Sequence, residues 1–125
     1  MLGSMDAAAS IAVRNLDTAR KFYEDTLGLK QVGREGDELI AYRSGKTTIN
    51  VYRSKYAGTN QATALTWVVG KNVESVVREL KARGVTFEHY DIPDMTHKGD
   101  VHIAGDMKVA WFKDPDGNIL NIVSG

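Results

Sequence analysis

The sequence predicts an α+β protein made of two tandem βαβββ modules. Three observations carry that expectation: a strand, cap, helix and stop-glycine pattern occurs twice, strand-forming runs follow each copy, and the chain has the size and apolar content of one ordinary globular unit. At 125 residues, with 42% hydrophobic and 26% charged side chains, it is neither a disordered chain nor a disulfide-dense miniprotein. Met1-Leu2-Gly3-Ser4 ahead of a second methionine, Met5, reads as a cloning remnant. Residues 1–5 are therefore set apart, leaving a first module over 6–56 and a second over 61–125.

The elements follow in order. Ser10 to Arg14 reads as a strand, and Asn15 is placed to cap a helix from Leu16 to Leu27, because its side-chain oxygen can accept from a first-turn amide. Leu16, Ala19, Tyr23 and Leu27 recur at helical spacing, and Gly28 ends the run where a left-handed residue is wanted. The second copy has a strand over Leu65 to Val69, Asn72 as cap, Val73, Val76, Val77 and Leu80 as apolar stripe, and Gly84 as stop. The caps lie 57 residues apart and the stop glycines 56. After the first helix come strands at Lys30 to Arg34, Leu39 to Arg43 and Thr47 to Arg53, with Gly36-Asp37 and Ser44-Gly45-Lys46 as turns. After the second come Val85 to Asp91, a polar stretch from Pro93 to Gly99, and strands near Val101 to Ala104, Lys108 to Lys113 and Ile119 to Val123. Asp114-Pro115-Asp116-Gly117 has the residues of a tight turn between the last two. Tyr56 to Gln61 forms a polar junction. Halves of this length are marginal alone, so one packed domain is expected.

Composition narrows the function. Sixteen Lys and Arg balance sixteen Asp and Glu, which argues against nucleic acid or an anionic membrane as partner. The absence of Cys removes disulfides, thiolate nucleophiles and zinc–thiolate sites, and suits a cytoplasmic location. No apolar run has membrane-spanning length and the start lacks a signal-peptide pattern. There is no GxSxG elbow, P-loop or dinucleotide fingerprint.

Asn15-Leu16-Asp17, Phe22-Tyr23 and Leu27-Gly28-Leu29 in the first half, with Asp114-Pro115-Asp116-Gly117-Asn118 before the last strand, carry a family likeness. On a duplicated βαβββ background this resembles the vicinal oxygen chelate superfamily, the group of glyoxalases, bleomycin-resistance proteins, fosfomycin-resistance enzymes and extradiol dioxygenases. The resemblance runs from about Ala7 to Ser124. It implies a curved eight-stranded mixed sheet around a cavity, with helices outside, and a homodimer, sometimes with exchanged modules.

Many members hold a divalent metal with His or Glu from the first and fourth strands of each module. Carried over one at a time, those positions fall on Ala8, Asn50, Leu65 and Asn121. A shift of one residue either way meets Ala7, Ala9, Ile49, Val51, Ala64, Thr66, Leu120 and Ile122. None has the imidazole, thiolate or carboxylate that divalent metals need. The family metal site is therefore expected to be missing, and no cofactor is expected. His89, His97 and His102 share the second half with Asp94, Asp100 and Asp106 but match no local ligand spacing. They read as exposed or hydrogen-bonded histidines, with acid–base work the minority alternative.

Strand alternation supplies an independent view of the cavity face. Ile11, Val13, Ile49 and Val51 point to a helix, leaving Ala8, Ser10, Ala12, Thr48, Asn50 and Tyr52 on the other face. Trp67 shares parity with Leu65, and Ile119, Asn121 and Val123 share a face. Only one of Trp111 and Phe112 can face the cavity, and parity leaves open which. The candidate ligand-binding residues are Asn50, Tyr52, Trp67, Trp111 and Asn121, with Tyr42 as a further flat surface. The aromatics are equally readable as core, and the two asparagines as bonding each other or a buried water. Tyr90 to Gly99 reads as a rim or lid, or simply as a solvated loop.

The leading expectation is a metal-free protein that binds an aromatic or amphipathic small molecule, a metabolite or antibiotic, similar to the drug-sequestering branch. The alternative is an enzyme of the same fold, a lyase, isomerase or dioxygenase, with a relocated metal or with His89, His97 or His102 as acid or base. A purely structural or interaction protein is the third class, favoured if the cavity face is filled by its own side chains.

Overall fold

The computed structural model describes residues 1–125 and divides the chain into two compact units, Met1–Thr59 and Asn60–Gly125. In the first, β1 (Ala9–Val13) leads into α1 (Leu16–Arg20), which passes into a π-helical segment over Lys21–Thr26. Then follow β2 (Lys30–Glu35), β3 (Leu39–Ser44) and β4 (Thr47–Arg53), in sheet order β1-β4-β3-β2 with β1 parallel to β4. The expected continuous helix from Leu16 to Leu27 is therefore part π-helix, with Leu27 N–H donating five residues back to the Phe22 carbonyl. Leu16, Ala19 and Tyr23 are buried, as are Ile11, Val13, Ile49 and Val51 of the sheet.

The second unit contains β5 (Thr63–Val68), α2 (Val73–Ala82), β6 (Phe87–Glu88), β7 (Thr96–Lys98), β8 (Val101–Ala104), β9 (Met107–Lys113) and β10 (Ile119–Val123). Its sheet runs β5-β10-β9-β8-β7, with β6 also paired to β9. The ten strands thus form sheets of four and six, not one sheet of eight. One strand comes from the stretch expected to be a polar connection: Thr96–Lys98 pairs with Val101–Ala104 across a tight turn at Gly99-Asp100. Gly99 sits at φ 62, a left-handed value that glycine adopts without steric cost.

Both units bury an apolar face against their own helix. In the second, Val73, Val77 and Leu80 of α2 are buried, as are Phe87, Ala110, Phe112, Leu120 and Ile122. Each of the larger side chains among them contributes about 1.5–3 kcal/mol on burial. Lys108 lies on this side of β9 and reaches Glu74 of α2. The Asp114–Asn118 turn is locked by the buried Asp114 carboxylate, which accepts from the Asp116 and Asn118 backbone N–H groups and the Asn118 amide. No helix is long and apolar enough to cross a membrane.

Candidate functional site

The sheet face away from the helix is where the candidate residues were expected, and each unit presents its own version. In the first, Ser10 pairs with Asn50 and Ala12 with Tyr52, while Asn50 and Tyr52 face Ala41 and Leu39 of β3. Asn50 is half-buried and Tyr52 is exposed. Tyr52, Ser10 and Leu39 line a depression of about 430 Å³ together with Glu35, Glu38 and Arg53. Tyr42 is not on this face. It is fully buried on the helix side, stacked 6.2 Å from Tyr23, and its hydroxyl donates to Glu24 at 2.8 Å. Burial, then the Glu24 hydrogen bond, raise its pKa far above the ordinary phenol value.

In the second unit Asn121 pairs with Trp111 on one side and Thr66 on the other, so these three share a face. Phe112 pairs with Leu120 and stacks on Trp67 with centroids 6.4 Å apart. Trp67 itself pairs with Ile122. The pairing decides two matters: Trp111 takes the open face, and Trp67 belongs with Phe112 on the helix side, opposite Asn121.

The parity of β5 differs from the expected one for a definite reason. Ser10 pairs with Asn50 as Thr66 pairs with Asn121, an offset of 56 residues from Ser10 to Thr66, whereas the helix caps are 57 apart. The second unit has one more residue between strand and helix, taken up in a short 3-10 turn over Gly70–Asn72, with Gly70 at φ 59. Counting back from the cap therefore lands on Leu65, whereas counting back from Thr66 lands on Ala64, the residue that the pairing register skips. The same turn removes Asn72 from capping duty: Asn15 Oδ1 accepts from Thr18 N–H at 3.0 Å, but Asn72 makes no side-chain cap.

Around Trp111 a group of rings has assembled that the spacing of the histidines did not suggest. His102 is fully buried, 4.8 Å from Trp111 in edge-to-face contact and 4.1 Å from His97, its cross-strand partner. Tyr90 meets Trp111 edge-to-face at 5.3 Å and His89 lies 5.6 Å from His97. The register could have been read from Gly99-Asp100, since a two-residue turn places His97 opposite His102. Tyr90 N–H donates to His102 Nε2 at 3.0 Å, so the neutral ring carries its proton on Nδ1. Burial first, then the nearby charge of His97, lower the His102 pKa below the ordinary imidazole value. His97 Nε2 donates to the Tyr90 carbonyl at 2.9 Å, and His89 Nε2 to Asp100 at 2.8 Å. Asp100 also accepts from Lys81 at 2.7 Å, and that bond, with the one from His89, holds its carboxyl below the usual range.

Two side-chain oxygens here are buried without a hydrogen-bond partner: Tyr90 Oη and Asn121 Oδ1. A buried polar group left unpaired costs about 1–3 kcal/mol. Asp91, Ile92, Pro93, Met95, Thr96 and His97 line a depression of about 420 Å³ formed within the Tyr90–Gly99 segment itself.

Comparison with known proteins supplies the family. The model of the Glyoxalase/Bleomycin resistance protein/Dioxygenase superfamily matches residues 5–122. The chain belongs to that superfamily. Among similar solved structures, lactoylglutathione lyase from Agrobacterium tumefaciens is 16% identical, with TM-score 0.73 over 96% of this chain and 92% of that one. A fosfomycin resistance protein variant, FosX from Listeria monocytogenes, complexed with Mn(II) and 1S,2S-dihydroxypropylphosphonic acid, is 13% identical, with TM-score 0.72 over 98% and 90%. An integron cassette protein from the mobile metagenome of a Halifax Harbour sewage outfall is 16% identical, with TM-score 0.72 over 94% and 96%. At these identities the likeness is one of fold.

The positions at which the resemblance places metal ligands hold Ala8, Asn50, Leu65 (or its neighbour Ala64) and Asn121, and none of these side chains fits a divalent cation. Nor do the histidines converge on one. Their Nε2 atoms are turned to Asp100 and the Tyr90 backbone, and no three His, Asp or Glu side chains are arranged to hold a metal ion.

Proposed function

We propose that this superfamily member is a small-molecule-binding protein that captures a planar aromatic or amphipathic ligand with its own side chains. The observation that carries the reading is the pairing of half-buried Trp111 with buried Asn121, whose Oδ1 lacks a partner. An aromatic surface beside an unsatisfied amide combines a stacking platform with an orienting group, the usual composition of a ligand site. Asn50 and Tyr52 form a second candidate surface on the first unit. Trp67 is left out of the contact set because it packs on Phe112.

The test is a panel of planar ligands followed through the Trp111 indole N–H signal, assigned with Trp67→Phe, and through thermal shift. Selective movement of the Trp111 signal, lost in Trp111→Leu, is the expected result. No movement with any ligand at saturating concentration would overturn the reading.

A second reading, acid–base catalysis, is favoured by the buried neutral His102 against Trp111. Loss of turnover in a folded His102→Gln variant would support it. Pairing of two copies and a cytoplasmic location are also proposed, the first to be checked by sedimentation.

A further inference from the structure

We infer that the ligand of the Trp111 face carries an amide-like edge, an adjacent hydrogen-bond donor and acceptor on a planar ring, which it presents to Asn121. A pyrimidinone, pyridone or ring lactam has this edge. The inference rests on the reading of that face as a ligand site and adds the class of ligand.

The geometry begins with Asn121. It is 7% exposed, sits in the middle of β10 between Trp111 and Thr66, and its Oδ1 is buried with nothing donating to it. Asparagine is disfavoured inside strands, where a branched or apolar side chain packs better. A strand asparagine that caps no helix, closes no turn and leaves its oxygen unbonded has no structural task in this fold. Its carbonyl and NH₂ lie side by side in one plane, so their complement is a donor and acceptor on neighbouring atoms of a flat group. An ionised carboxylate offers only acceptors and would leave Oδ1 unsatisfied.

The setting also selects a flat neutral partner. Trp111 lies directly across the ladder from Asn121, and Tyr90, whose Oη is buried without a partner, meets Trp111 from another side. A ring lying along the indole therefore has two unsatisfied polar groups at its margins. The cross-strand neighbour Thr66 adds no charge, and the nearby His102 is held neutral at pH 7 by burial. His89 Nε2, His97 Nε2 and the Asp100–Lys81 pair are already engaged with one another or with the Tyr90 carbonyl, so these groups are not free to bind an ionic ligand.

The test compares 2-pyridone with N-methyl-2-pyridone, which keeps the ring and the carbonyl but loses the donor. Binding of each to the full chain is followed by the Trp111 indole N–H and the Asn121 side-chain NH₂ signals. The expected result is binding of 2-pyridone about tenfold tighter than its N-methyl form, as one hydrogen bond permits, with the Asn121 NH₂ signals shifting. In Asn121→Leu the two compounds should bind alike. Asn121→Ser, which cannot span both groups of the edge, provides a second variant should leucine disturb the fold, and should also lose the preference. Equal binding of the two compounds to the wild type, or a preference that survives both substitutions, would overturn the amide-edge inference while leaving a ring-binding face intact. Failure of both compounds and of plain naphthalene to move the Trp111 signal would overturn the binding reading itself.

Discussion

In the first unit the buried hydroxyl of Tyr42 donates to Glu24 at 2.8 Å, whereas in the second the hydroxyl of Tyr90 and the oxygen of Asn121 are buried with no partner. The two units have the same ladder at one edge of their sheets, a first strand parallel to the last with Ser10–Asn50 in one and Thr66–Asn121 in the other. Their open faces differ. The first presents small and polar side chains beside an exposed tyrosine, while the second gathers Tyr90 and His102 edge-to-face on Trp111, with His97 tilted against His102. A duplicated frame can thus keep its helix-facing core constant while one copy takes on unsatisfied groups that cost stability. Such groups persist where something outside the fold uses them.

The helix-facing cores should respond alike. Phe112→Ala and Tyr23→Ala, both at essentially fully buried positions, should each lower unfolding free energy by about 3–5 kcal/mol in urea titrations. A much smaller loss at one of them would break the equivalence of the two cores.

The next contrast is in pH. The folded pKa of His102 lies below its ordinary value of 6.5, so on acidification the unfolded chain takes up that proton first. Stability contributed by the neutral ring is complete above 6.5 and is lost as pH falls from there through the folded pKa, with a slope of at most about 1.4 kcal/mol per pH unit. Asp100, also depressed, loses its contribution in a lower window, from its ordinary 3.8 downward through its folded value. His102→Gln should flatten the upper limb and leave the lower one; the first unit contains no histidine and should contribute nothing near pH 6.

Smaller effects divide the units further. Tyr42→Phe should cost about 1 kcal/mol, the ordinary worth of a hydrogen bond. Asn15→Ala should cost about 1 kcal/mol because a working cap is removed, while Asn72→Ala should stay within about 0.5 kcal/mol. Equal losses at the two asparagines would mean that the second also caps its helix in solution.

Strand alternation read the first unit's faces well: Ile11, Val13, Ile49 and Val51 are buried, and Ser10, Asn50 and Tyr52 lie opposite. It failed on β5 because one residue of Gly70–Asn72 shifts the count between strand and helix, and a period-2 pattern turns any single-residue error into the wrong face. Trp67 was misplaced for that reason alone. Tyr42 was misplaced because its partner Glu24 is 18 residues away, a contact with no local signature. The histidine cluster was partly legible: Gly99-Asp100 announces the turn that faces His97 with His102, but the approach of Tyr90 and His89 depends on packing across the sheet. Asn50 and Asn121 stood out because amides in mid-strand are costly, whatever their neighbours.

The central claim is that the open face of the second unit retains groups that the fold itself does not satisfy. Urea unfolding of Asn121→Leu tests it most directly. The account predicts a variant more stable than the wild type by about 1 kcal/mol, since a buried unpaired amide is replaced by an apolar side chain of similar size. A loss of about 1 kcal/mol or more would contradict it, showing that the Asn121 amide is bonded within the folded chain and is not held in reserve for a ligand.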